Sequence, residues 1–149
     1  MSASIEERIA EAVKAALLGA PQIAEVADRV DRAREDGRHR EEGESINISS
    51  EALAIKSLST SIDDKELTLN VEIYVRGDVW ETRADAIATQ AHTRIMRRNY
   101  LATDGITLAQ LRLVDGDWTG QDGDQTPGKR TMKYAFRYLA MAEDITTQP

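Results

Sequence analysis

The chain has 149 residues, of which 41% are hydrophobic and 30% charged, and a net charge of −7; these proportions fit one soluble globular domain with a core of its own. Cysteine is absent, which excludes disulfides, thiolate zinc sites and cysteine nucleophiles. Residues 1–75 hold 9 Lys/Arg against 16 Asp/Glu and residues 76–149 hold 10 against 10, so the charge excess lies in the first half and has the wrong sign for a generic nucleic-acid binder.

Charged residues Glu6, Glu7, Arg8 and Glu11 break the N-terminal run, so no signal-peptide shape is expected. No stretch offers the roughly 18–20 apolar residues of a membrane span. Ser4-Ile5-Glu6-Glu7 reads as a capping box with Ser4 as N-cap and Glu7 at N3. Ile5, Ile9, Ala12, Val13, Ala16 and Leu17 then mark one helical face, and Gly19 and Pro21 end it. Residues 22–34 allow two readings. Ile23, Val26 and Val30 fit a helical face, while Val26 to Ala33 fits a strand; a turn followed by a short strand near Val30–Arg34 is the expectation. Glu35 to Gly43 is almost wholly charged, giving a solvated charged loop over 35–44 or an arm for a partner.

Ser45 to Ser49 alternates as a second strand, Ala52 to Leu58 is ambiguous, and Ser59 to Asp64 reads as a polar turn. The clearest signal follows. Leu67, Leu69, Val71, Ile73 and Val75 alternate with Thr68, Asn70, Glu72 and Tyr74, so a long strand over about Lys65 to Val75 has one buried face. Gly77 ends it, and Asp78-Val79-Trp80-Glu81 supplies an N-cap with an acid at N3. A second helix to about Tyr100 carries the stripe Ala84, Ile87, Ala88, Ala91, Ile95 and Met96. Arg94, Arg97 and Arg98 fall in its last turns, where they meet the negative end of the helix dipole.

Leu108, Leu111, Leu113 and Val114 suggest a strand reaching about Trp118. Glycines 116, 120, 123 and 128 with Pro127 make 115–128 a flexible polar loop. In the last strand, Thr131 to Met141, the residues Met132, Tyr134, Phe136 and Tyr138 alternate with Lys133, Ala135, Arg137 and Leu139. Both long strands therefore carry apolar residues on both faces, which fits either a plain core or a second patch covered by a neighbouring subunit. The polar C-terminal tail 143–149 has no core signal. The sum is a single α+β domain over residues 1–149: a mostly antiparallel four- to five-stranded sheet with two main helices packed on one face.

Chemistry-bearing motifs are few. Asp115, Asp117, Thr119 and Gly120 match the opening of a calcium loop, but the twelfth position is Thr126 where a bidentate Glu is needed. Asp122 and Asp124 add acids that bind a cation weakly at best, and a hairpin loop made soluble by acids is the better reading. His92 follows Asp85 by two turns on the second helix, with no nucleophile or oxyanion donor in evidence. His39 sits in the charged loop, and two histidines so placed do not make a zinc triad. There is no G-x-S-x-G elbow, Walker A loop or dinucleotide glycine signature. No enzyme, cofactor or resident metal is expected.

The order helix, strands, long strand, helix, two strands resembles the tail terminator proteins of long-tailed bacteriophages, including the lambdoid minor tail protein U group. The segments carrying this resemblance are IEERIAEAVKAAL, ELTLNVEIYVRG, WETRADAIATQAHTRIM, ITLAQLRLVDGDW and TMKYAFRYLAMAEDITTQP. They span nearly the whole chain, as pattern more than as invariant motif. The chain departs from many relatives where the charged EDGRHREEGES run replaces a short proline-containing segment.

The resemblance implies a virion protein in the tail and neck region, assembled in the host cytoplasm. It would form a ring of copies of itself, typically a hexamer, seated on the last ring of the tail tube protein. That ring would end tube polymerisation and dock a head-neck connector or stopper protein, while DNA passes through the lumen without specific binding. Arg38, Arg40, Asp122, Asp124 and Lys129, from or beside the two polar loops, are the candidate interface residues, and the acidic excess of the first half is expected to line part of the channel. The alternatives are a head completion (stopper) neck protein, a small α+β ligand-binding domain or enzyme, and a nucleic-acid-binding module.

Overall fold

The computed structural model describes residues 3–33, 43–120 and 128–149. In chain order these residues form α1 (Ile5–Leu18), β1 (Val30–Arg32), β2 (Ser45–Ser57), β3 (Ile62–Val75), α2 (Trp80–Met96), α3 (Asn99–Thr103), β4 (Gln110–Thr119) and β5 (Gly128–Met141). The five strands make one sheet in the order β1-β2-β3-β5-β4, antiparallel except that β1 runs parallel to β2. The fold is the expected α+β one, with two main helices and a mostly antiparallel sheet.

The alternation of β3 explains why it lies at the centre. Its odd-numbered residues Leu67, Leu69, Val71, Ile73 and Val75 are buried, and in register with them stand Phe136, Tyr134 and Met132 of β5 and Ile48 and Ile46 of β2. Helices α1 and α2 cover this face through Ile5, Ile9, Val13, Leu17, Ala84, Ile87, Ala91 and Ile95, and all of these belong to one core. Burying each large apolar side chain contributes roughly 1.5–3 kcal/mol on transfer from water. The even-numbered residues of β3 point to the opposite, uncovered face.

The helix ends follow from local chemistry, with corrections. Ser4 caps α1 by accepting from Glu7 N at 3.2 Å. The reciprocal arm of the box is spent elsewhere, because the Glu7 carboxylate is held by Arg32 at 3.0 and 3.1 Å. Gly19 is the C-cap of α1, as expected. Asp78 is not the N-cap of α2: that position is Val79, with no side-chain cap. The second helix also stops at Met96. Arg98 takes a left-handed φ of 63°, and Asn99–Thr103 form the short helix α3 in place of a continuation to Tyr100.

The strands are longer than the sequence pattern suggested. The ambiguous Ala52 to Leu58 stretch continues β2 to Ser57, and β3 begins at Ile62, so only about four residues turn the hairpin instead of the polar turn expected to Asp64. β1 is confined to Val30–Arg32. β4 reaches Thr119, matching the strand expected to about Trp118, so Asp115 to Thr119 do not belong to the flexible loop that their glycines also suggested, and Gly128 opens β5. Residues 121–127 of that loop, and 34–42 of the charged loop, lie outside the described residues. The tail is docked despite its lack of a core signal. Ile145 O accepts from Ile5 N at 3.0 Å, Thr146 O from Arg8 Nη1 at 3.0 Å, and the Gln148 amide donates to Thr107 O and Leu139 O at 2.8 and 3.1 Å.

Candidate interaction surfaces

Three surfaces remain where the core is complete. The first is the uncovered face of the sheet, a ladder of paired charges. Arg137 grips Asp64 at 2.6 Å, Lys133 reaches Glu51 at 2.8 Å, Lys129 holds Glu72 at 3.1 Å and Arg112 sits 3.4 Å from Glu66. The Arg137 guanidinium, mainly by hydrogen bonding, holds the Asp64 carboxyl below the usual carboxylate range. Asp115 and Asp117 project on this face beside Lys133 and Thr131.

The second surface consists of the two sheet edges. β1 covers the outer edge of β2 only at Ile46–Ile48, so among the described residues no strand pairs with the outer edge of β2 from Ser50 to Ser57. At the other side of the sheet β4 pairs with β5 alone. Each edge strand carries one bulge, at Glu51 in β2 and at Val114 in β4. Such bulges twist and blunt an edge. Exposed apolar side chains flank both edges: Leu53 and Ile55 on β2, Leu113, Val114 and Trp118 on β4. Beside the β2 edge a shallow groove is lined by Leu53, Leu67 and Ile145 with Ser4 and Glu6.

The third is an aromatic cluster where α2 begins. Trp80 meets Trp118 edge-on with centroids 6.0 Å apart, and the Arg130 guanidinium lies 4.4 Å above the Trp118 ring while bonding Asp85 at 2.6 Å. Gly128 leaves the space that the Trp80 ring fills.

The sequence-derived candidates separate on this frame. Arg38, Arg40, Asp122, Asp124 and His39 lie outside the described residues. Lys129 is on β5, not in a loop, with its ammonium held by Glu72 on the open face. Asp115 and Asp117 stand on a strand, and each accepts from the next backbone N–H, of Gly116 and Trp118, at 2.8 Å. Among the described residues no group of three His, Asp or Glu could hold a metal ion. His92 does not meet Asp85, whose carboxylate is taken by Arg130. Its Nδ1 lies 2.7 Å from the Tyr134 hydroxyl and its ring stacks on that phenol. The pair joins helix to sheet, and burial pushes the Tyr134 phenol up.

Sequence reasoning missed two polar devices, one of them buried. Lys65 occupies an inward position on β3 at 3% exposure and pairs with Glu6 of α1 at 3.3 Å. The Tyr138 hydroxyl is buried beside the Glu6 carboxylate, and burial, then the Glu6 charge, raises the Tyr138 phenol. The second device is Arg94. Instead of closing its own helix, it donates to Ala16 O at 3.3 Å, Gly19 O at 2.7 Å and Pro21 O, terminating α1 from outside. Its i+4 position after Gln90 gave no hint of this.

A cleft of about 490 Å³ lies at this junction and is lined by Gly19, Pro21, Arg94 and Tyr100 among others, with no carboxylate or histidine. Two of its polar groups are engaged, Arg94 as above and the Tyr100 hydroxyl with Ile95 O at 2.8 Å. Among the described residues no helix is long and apolar enough to cross a membrane. Comparison with protein-family models found no match, and comparison with curated proteins found none.

Proposed function

We propose that this chain is a structural ring protein that caps a phage tail tube, ends its polymerisation and joins it to the neck. The observation that carries the reading is a two-layer subunit whose sheet, among the described residues, stops at the β4 edge and at the β2 edge beyond Ile48, flanked by exposed Leu53, Ile55, Leu113 and Trp118. Unpaired strand edges invite copies of the same chain.

A polymer of stacked rings always offers an unfilled heterologous surface at its growing end. A ring that matches that surface and presents a different one beyond it stops growth without any covalent step. The open face suits the lumen, because four of its cations are already held by carboxylates and give passing DNA little to release counterions against.

The test adds purified protein to polymerising tail tube protein and measures tube lengths by electron microscopy. A terminator shortens tubes in proportion to its concentration and is seen as a distinct ring at one end. Binding to DNA-filled heads with tube lengths unchanged would replace the reading with a stopper. Retention of DNA at low salt would contradict the inert lumen.

A further inference from the structure

We infer that the β2 edge from Ala52 to Lys56 pairs antiparallel with the same edge of a second copy of this chain, about a two-fold axis between the two Ala54 residues. This isologous joint goes beyond the ring reading and does not need it, because it links copies two by two whether each is free or already in a ring. The backbone sets it up. Leu58 N donates to Ile62 O at 3.0 Å across the β2–β3 hairpin. Main-chain groups alternate in direction along a strand, so the N–H and C=O groups of Leu53, Ile55 and Ser57 face outward. Among the described residues no strand takes them: β1 covers β2 only at Ile46–Ile48, and Ala33, with a left-handed φ of 52°, follows its last residue.

One register satisfies this edge. With Ala54 opposite Ala54 of the partner subunit, Leu53 stands opposite the partner's Ile55, and Ile55 opposite the partner's Leu53. These are outward-facing residues on both strands, so each pair exchanges main-chain hydrogen bonds. Sliding by one residue would set outward-facing groups against inward-facing ones. The partner's strand reaches its last residue, Ser57, opposite Glu51, so it stops short of Ile48 and leaves β1 in place.

The side chains fit the same register, since directly opposite residues of an antiparallel pair share a face. Leu53 and Ile55 stand opposite Leu67 and Lys65 of β3, hence on the helix side, where they are exposed by 38% and 58%. The joint brings the partner's Ile55 beside Leu53, at the groove that Leu53 forms with Leu67, Ile145 and Ser4. The two-fold axis repeats this, so each copy supplies one projecting isoleucine and one groove. On the open face Ala54 meets its own counterpart and Lys56 meets the partner's Ala52, so no like charges are opposed. Projection and groove lie on one edge at the two-residue spacing the register requires, which makes a second copy of this chain the occupant.

The parent chain has no cysteine, so disulfide trapping reads the joint directly. Ala54→Cys sits at a non-hydrogen-bonded pair, with Cα atoms about 4.5 Å apart, within disulfide range. Under mild oxidation it gives a covalent dimer and nothing longer on non-reducing gels. Ala52→Cys on the same face is the control. Its two copies lie four residues apart along the strands, about 14 Å, so it stays unlinked alone and forms dimers when mixed with Lys56→Cys. Ile55→Glu puts a carboxylate at each groove and weakens the pair about 100-fold in sedimentation equilibrium, because the change acts twice across the axis. Circular dichroism confirms the fold of each variant.

Ala54→Cys that folds but stays unlinked, or Ala52→Cys that links alone as readily, would overturn the inference; a parent chain that is still a ring by native mass would then leave the ring reading standing. A parent chain that is only a dimer, trapped at Ala54→Cys, supports the joint and removes the ring. A monomeric parent chain would overturn both.

Discussion

Gly128 tests the packing at the start of α2 more sharply than any other position. A Cβ built there overlaps Cδ2 and Cε3 of Trp80, and even the more distant Cζ3 is only 2.8 Å away, against the 3.5–4.0 Å or so of ordinary carbon contact. These are atoms of a rigid ring that also abuts Trp118, so Gly128→Ala forces the indole to move by about 1 Å or more. Overpacking of this kind costs roughly 1–3 kcal/mol. For a chain of this length, a loss of about 2 kcal/mol lowers Tm by about 4–8 °C.

The readout is specific because the chain has only two tryptophans, and both are in this cluster. Their emission should shift to the red as Trp80 is pushed toward water. Gly116→Ala on neighbouring β4 is the control: its Cβ meets nothing closer than Thr131 O at 3.9 Å, and it should leave Tm unchanged or slightly raised. Gly128→Ala with unaltered Tm and emission would refute the packing described here.

Further outcomes follow from single contacts. Arg94→Ala removes charged donors from the α1 terminus and should cost about 2 kcal/mol by urea denaturation. Arg94→Lys should restore less than half of it, since one ammonium cannot fork between three carbonyls. Tyr134→Phe takes the hydroxyl from His92 and should cost about 1 kcal/mol with an unchanged far-ultraviolet spectrum. Arg32 and Arg137, chiefly by hydrogen bonding, hold the carboxyls of Glu7 and Asp64 below their ordinary values. Carboxyls depressed on folding add stability that is complete above the usual carboxylate range, near pH 4, and is lost as pH falls through their folded values. Unfolding free energy should therefore drop on acidification below about pH 4, and Asp64→Asn should flatten part of that slope; an unchanged slope would remove this pair as a cause.

The pattern of β3 made the centre of the sheet legible, because a strict period of two with apolar odd positions allows one buried face. The Ser4 cap and the Gly19 stop were equally readable, each being a local backbone requirement. What could not be read depends on partners distant in sequence. Ala52 to Ser57 has weak alternation of its own and is a strand because β3 provides a ladder for it. Asp115 to Thr119 look like a loop by their glycine and acids, yet β5 extends them as an edge. Lys65 is tolerated inward only because Glu6 of α1 lies across from it. The docked tail depends on Thr107, Arg8 and Ile5, none of which marks the tail from within. The open edges of the sheet were invisible for the same reason: an edge becomes an edge only once its neighbours are known.

Native mass spectrometry of the unmodified chain, with electron microscopy of the same sample, tests the closed ring most directly. A ring that caps a tube predicts one closed species of several copies surrounding a channel. A species that remains monomeric across the whole concentration range would contradict it.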